Sequence, residues 1–522
     1  MKTRNLQIFS AALLVFCLGT TSCDKLVDAE PQGVIISGDF WRTESQAVGA
    51  IAGIYANLSC TNINWAIGAT NANNLSNTFL TPQEAYIYWG EVRGEILATN
   101  PTKMPAAQLT KENVDSYLVA PGDATTRYGA FYKIINQANL AIKHVPDVVA
   151  KDPNFTQAES DQLVGEAYFA RAFCYFWLTR AFRDVPLVLD PYEKDDQEFN
   201  VPKAAGKEIL DQIVKDLVKA KETLPEWYES ALYPRVRATK YTAMTTLADV
   251  YLWQAALADN SASANAMYDK VIENCKAVRE SGRYFILPLS LYTSIFNTGN
   301  TPESIFEQFT NNTLNNQSSS MEGWFKGSNQ LWVVSPRADL LFQITPLVDV
   351  RAGTVNANTG FNSTTRLLQK YQNNNSRWIY YRLAEVYLME AEALAHRYPN
   401  DAAKLKEGCE LINDLRQRVY PLKSLFPEAS TTSTEEMDQL LLDERGREFI
   451  GEGKRWFDLV RFASRDKFAR KDFLVQTILN SLSGTDQLKI SPRISNPESW
   501  YLPFNTDELT NNTALVQNPY YK

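Results

Sequence analysis

The sequence predicts a mainly α fold: tetratricopeptide-like helix pairs arranged as an α-α superhelix, with a loop-rich ligand-binding part containing short strands. Three observations predict it. The 3.6-residue apolar period of core-facing helices recurs over 43–58, 126–145, 158–182, 205–223, 237–258, 265–281, 377–397, 401–418 and 434–463. These stretches arrive in pairs with small Ala at many contact positions, as in stacked helix–turn–helix units, although no regular 34-residue repeat is legible. Two stretches, 59–125 and 283–376, lose the period and fill with Asn, Ser, Thr and Gly, which predicts long loops on a rigid scaffold, where binding residues tend to sit.

Taken in order, residues 1–22 form an export signal. Lys2 and Arg4 precede an apolar run from Ile8 to Leu18, then Gly19-Thr20-Thr21-Ser22 lead to Cys23. The run is too short to span a bilayer. Its Ser-Cys ending resembles a bacterial lipoprotein signal, with Thr20 where Leu is usual, and implies lipidation of Cys23 as the first residue of the mature chain. Residues 23–40 lack apolar periodicity and are expected to be a tether, leaving 41–522 as a single domain. In RLAEVYLMEAEALAHR (382–397), Ala384, Tyr387, Leu388, Ala391, Leu394 and Ala395 make one stripe, and Glu385 and Glu392 are expected to face away from it.

The stretch ERGREFIGEGKRWFDLVRF (444–462) would stack Glu444, Glu448 and Glu452 on one helical face. Paired carboxylates can serve a glycosidase, which keeps one protonated and one ionised. The interleaved Arg445, Arg447, Lys454, Arg455 and Arg461 favour a partly buried ion network instead. Gly446, Gly451 and Gly453 also allow close backbone approach and frame a rigid catalytic pair poorly, while Trp456, Phe457, Leu459 and Val460 offer a core-facing side.

Composition narrows the function. The 522 residues are 45% apolar and 12% aromatic, with a net charge of −8 and dispersed Lys and Arg, so nucleic acid is not expected as a partner and a neutral or weakly polar ligand fits better. With 2 His, no Ser-His-Asp order, no phosphate loop and no metal-ligand spacing, the chain is expected to be a binder and not an enzyme, with no cofactor and no metal. His144 is expected to end a helix ahead of Pro146, and His396 to sit in a last helical turn that suits a cationic ring. The acids of Glu193-Lys194-Asp195-Asp196 read as solvated loop charges. Cys174, Cys275 and Cys409 read as packed thiols.

Candidate binding residues fall in the two loop-rich stretches. Within 62–95, Trp65, Tyr86, Tyr88 and Trp89 lie among Asn and Gln with Glu91 and Arg93 nearby. Flat apolar rings beside hydrogen-bonding groups are what sugar rings require. The alternative is a short strand packing on the core. Within 311–332, Trp324 lies between glycines in a polar context, and an aromatic platform of Trp324 with Trp65, Tyr86 or Trp89 is expected. Tyr292 and Phe296 are weaker candidates.

Five segments in order resemble the SusD/RagB family of outer-membrane lipoproteins from Bacteroidetes: GEAYFARAFCYFWLTRAFRDVPLVLDP (165–191), RATKYTAMTTLADVYLWQA (237–255), RLAEVYLMEAEALA (382–395), ERGREFIGEGKRWFDLVRF (444–462) and YLPFNTDELTNNTALVQNPYY (501–521). Ile450-Gly451 departs from the bulkier pair usual in the family. The resemblance implies a lipid-anchored binder in the outer membrane, facing the cell exterior, that passes oligosaccharide to a SusC-like TonB-dependent transporter. Some members of the family serve peptides instead, which leaves a peptide ligand as the alternative.

Overall fold

Helices begin where a side chain can occupy the first unpaired N–H groups. In the computed structural model, Thr43 and Gln46 form a reciprocal capping box on α1 (Glu44–Leu58). Thr81 with Glu84 does the same for α2 (Pro82–Gly90), which also carries Pro at its first position. The scaffold continues with α3 (Gly129–Val148), α4 (Gln157–Phe182, capped by Thr156 and Glu159), α5 (Gly206–Thr223), α6 (Lys240–Ala256), α7 (Ser261–Arg279), α8 (Leu383–Arg397) and α9 (Ala402–Val419). The structure describes residues 40–59, 81–100, 117–194, 196–229, 235–308, 324–327, 330–344, 347–353, 360–373, 376–419 and 428–522. The expected signal, Cys23, the tether up to residue 39, and Trp65 lie outside them.

Within the unit Thr43–Lys522, successive scaffold helices pack on one another from α3 through α9, and α1 packs on α3. This is the superhelix of helix pairs that the sequence predicts. Helix α4 runs through its middle, and every side chain from Phe169 to Phe182 is buried. The charge this buries is paired: Arg171 grips Asp216 with two bonds of 2.8 Å and donates a third to Asn139. Helix α3 continues through Pro146 to Val148, so His144 lies inside it, bound with Lys143 to Glu193.

The loop-rich regions hold short antiparallel ladders. Strand β1 (Leu97–Thr99) pairs with β3 (Trp332–Val334), and β2 (Ser304–Glu307) pairs with β4 (Ile379–Arg382), which feeds directly into α8. Three expectations need correcting. The region 59–125 is not purely loop, because α2 occupies its middle. The stretch 434–463 is two helices, α10 (Thr434–Glu448) and α11 (Arg455–Phe468), separated by a turn in which Gly451 and Gly453 take φ of +76° and +75°. Glu385 and Glu392 do not face outward: α8 is enclosed by α7, α9 and α10, and both carboxylates are buried. Beyond α11 lie two helices the apolar period does not announce, α12 (Lys471–Leu479) and α13 (Gly484–Ile494). Among the described residues no helix is long and apolar enough to cross a membrane.

Candidate ligand-binding site

The expected aromatic platform is, in the structure, part of the core. Helix α2 points Tyr86, Tyr88 and Trp89 in different directions, and each meets rings from another part of the chain. Tyr86 packs against Trp177 at 4.4 Å and Tyr380 at 5.1 Å between centroids. Trp89 stacks on Phe131 at 5.1 Å and donates its indole N–H to the Thr125 carbonyl at 2.8 Å. Tyr88 meets Trp324 and Trp332 edge-on. Tyr86, Tyr88, Trp89 and Trp324 are all at most 3% exposed, and Tyr292 and Phe296 are buried as well. The correction has a simple cause. A short helix buried on every side has no amphipathic period, so its rings look like loop aromatics in the sequence. Accordingly Trp324→Ala should cost about 3–5 kcal/mol of folding free energy in a urea titration, the cost of emptying a core site.

The glutamates of 444–452 form the ion network and not a catalytic pair. Glu448 accepts from Arg351 at 2.7 Å, Arg382 at 2.6 Å and Arg418. Glu444 pairs with Arg351, Arg416 and Arg447, and Glu452 with Lys370 and Arg382. Burial alone would raise the Glu448 pKa, but Arg418, Arg382 and Arg351 outweigh it and hold the carboxyl well below the usual range. Glu444 and Glu452 are lowered by the same balance. A glycosidase acid needs the opposite shift and access to substrate, and these groups are fully buried. His396 follows the same logic: burial, with Arg465 beside it, lowers its pKa despite the bond to Asp438 at 2.7 Å, so it is not the helix-end cation expected.

Arg93 is the candidate that reaches a cavity. It follows α2 and is 3% exposed, its guanidinium lying 4.1 Å above the Trp456 ring. It donates to the carbonyls of Trp500 and, at 3.0 Å, Ser499, while its Nε has no hydrogen-bond partner among the described residues. Burial pulls its pKa down to about 10, with Tyr521 and Tyr117 partly opposing. The cavity it lines has about 270 Å³ of empty space including its mouth, bounded also by Tyr117, Arg493 of α13, Tyr520 and Tyr521. Tyr117 donates its hydroxyl to the Arg93 carbonyl and accepts at its own carbonyl from Arg493 at 3.4 Å. The half-buried rings of Tyr520 and Tyr521 stand edge to face at 4.9 Å. The sequence reading missed Tyr117, Arg493, Tyr520 and Tyr521; two adjacent tyrosines after Pro519 in a polar tail were the available signal. Among the described residues no cluster of His, Cys, Asp and Glu could hold a metal ion.

Comparison with known proteins agrees with this architecture. The family model described as "SusD family" matches residues 344–521, and the one described as "Starch-binding associating with outer membrane" matches residues 81–252. SusD-like protein P2 of Formosa agariphila is 25% identical, over 98% of this chain and 99% of that protein. A solved SusD superfamily protein from Bacteroides fragilis superposes with a TM-score of 0.70 at 20% identity, covering 92% of this chain and all of the other. A laminarin-binding SusD-like protein superposes with a TM-score of 0.67 at 20% identity and 92% coverage of this chain, again over the whole of the other. With both sequence models, the full-length relative and the shared helical scaffold in agreement, the chain belongs to the SusD/RagB family.

Proposed function

We propose that this protein is a non-enzymatic, lipid-anchored glycan binder of the outer membrane that captures oligosaccharide outside the cell and delivers it to a SusC-like TonB-dependent transporter. The observation that carries the glycan reading is the fold shared with a laminarin-binding protein over 92% of the chain. The match of 81–252 to a family of starch-binding, outer-membrane-associating proteins supports the location. Tyr117, Tyr520 and Tyr521 replace the core rings as the aromatic surface against which sugar faces would lie. Two or three such contacts at roughly 1–3 kcal/mol each, less the entropy of fixing a flexible chain, give millimolar to tens of micromolar affinity, loose enough for hand-over.

Calorimetry of the purified domain against a panel of oligosaccharides tests the reading, with reducing-end formation measured in the same mixtures. Binding without cleavage is expected; cleavage, or no binding to any saccharide, would sink it. For the anchor, Cys23→Ala should move the protein from the membrane fraction to the soluble one. Affinity purification of the native chain should bring a TonB-dependent barrel with it.

A further inference from the structure

We infer that the Arg93 cavity is a subsite for an anionic substituent, so that the oligosaccharide is an acidic one bearing carboxylate or sulfate groups. This deepens the glycan-binding reading and rests on it. The argument starts from charge accounting. Most buried guanidinium groups elsewhere in this fold, with Arg235 on the Ser304 carbonyl and the Asn300 amide oxygen as an exception, sit on carboxylates: Arg171 on Asp216, Arg455 on Glu95, Arg461 on Glu392, and Arg382 on Glu448 and Glu452. That is the ordinary requirement for a buried charge. Arg93 is buried to the same degree and has two carbonyls, a ring face and no carboxylate partner among the described residues. Its Nε, a donor in the guanidinium fork, has no hydrogen-bond partner among the described residues, as is also the case for Arg180, Arg418 and Arg465.

The same cavity holds a second guanidinium, Arg493, whose hydrogen bond goes to a carbonyl and which forms no ion pair with a described carboxylate. Asp123, an acid that acts on the Tyr521 ring, is not part of the lining and accepts from the Ala120 N–H at 2.8 Å. Two cations and tyrosine rings, with no acid among the described residues of the wall, give that wall a net positive charge. Its enclosed part holds only a water-sized group, which suits a single oxyanion oxygen reaching inward while the sugar stays on the tyrosine rings at the mouth. A bound carboxylate or sulfate would supply the counter-charge Arg93 lacks, by the charge-assisted bonds that arginine makes best. The net charge of −8 does not prevent this, because at physiological salt charges more distant than about 8 Å are largely screened.

The test uses four probes by calorimetry: tetragalacturonate for a carboxylate, a sulfated carrageenan oligosaccharide for a sulfate ester, laminaritetraose as the neutral control, and a free-carboxylate peptide. At least one acidic saccharide should bind more tightly than laminaritetraose and weaken as salt rises from about 50 to 500 mM. Arg493→Gln, at a half-buried position, should reduce that binding about tenfold, several-fold more than it reduces any laminaritetraose affinity, and leave the melting temperature unchanged. Tyr521→Phe, which keeps the ring, should reduce it less. Binding of the neutral tetrasaccharide alone overturns the inference and leaves the glycan reading standing. Acidic binding indifferent to Arg493→Gln also overturns it, by placing the subsite elsewhere. Binding of the peptide but of no saccharide overturns both.

Discussion

Glu448→Gln should lower the free energy of unfolding by about 3–5 kcal/mol in a denaturant titration, with helical content retained. The substitution keeps the shape of the side chain and removes its charge from among Arg351, Arg382 and Arg418, all at most 1% exposed in their side chains. Removing one partner leaves the others buried and under-compensated, which is what makes the loss large. The exposed Lys207–Asp211 pair is the control, and Lys207→Ala should leave stability essentially unchanged. Acid should act in the same direction. The folded pKa values of Glu444, Glu448 and Glu452 lie below the ordinary 4.5, so their contribution is in place above that pH and is lost as pH falls through the folded values. Glu91 runs the other way. Burial pushes its carboxyl up to about 7 despite bonds from the backbone of Gly451, Lys454 and Arg455, so its contribution is full below about 4.5 and is lost as pH rises through about 7. Melting curves across pH 3–8 should therefore show a steep loss below about 4.5 and a shallower one toward neutrality, the latter absent in Glu91→Gln.

Gly90→Ala should cost about 3 kcal/mol or more, or prevent folding, read as loss of the cooperative melt. A Cβ there would lie 2.0 Å from the Gly453 carbonyl oxygen, and one at Gly453 would lie 2.6 Å from the Tyr86 carbonyl oxygen with φ already at +75°. Both obstacles are backbone, so no rotamer can move aside. The contact locks α2 to the turn between α10 and α11, and Glu91 fastens it further by accepting the N–H groups of Gly451, Gly453 and Lys454 at 2.8, 2.9 and 3.0 Å. Gly49→Ala is the counter-case. It lies inside α1 with nothing within 4 Å of the added carbon, and should gain about 0.5–1 kcal/mol.

The scaffold was legible because its long helices carry local signals: apolar period, capping residues such as Thr156 with Glu159, and interleaved charges such as those of 444–462. The ion network could be read there because the Arg and Glu spacing demands compensation wherever the segment lies. The platform was misread for the opposite reason. Tyr86, Tyr88 and Trp89 are surrounded by rings from residues 125–182 and 324–380, and nothing local distinguishes a ring that will be surrounded from one that will not. Arg93 was selected for its neighbours in sequence, but the residues that make its cavity come from positions 117, 493, 520 and 521. A site assembled across about 400 residues leaves no periodicity or spacing to find.

The bonds that close residues 499–512 over the N-terminal half also set an order of assembly. Ser499 and Trp500 receive Arg93, Leu502 donates to Ala181, Asn505 to Asp123, Thr506 to Pro121 and Asn512 to Val201. Each of those earlier residues leaves the ribosome about 300 or more residues before its partner, a wait of roughly 15–60 s at ordinary rates of synthesis. In that interval α3 to α6 can stack in pairs, as repeat units do, but the ring-filled interior stays open and its backbone carbonyls stay wet. If the chain is exported as proposed, it must pass through a translocation pore unfolded. Deferring closure to its last segment keeps it threadable until nearly all of it has been made.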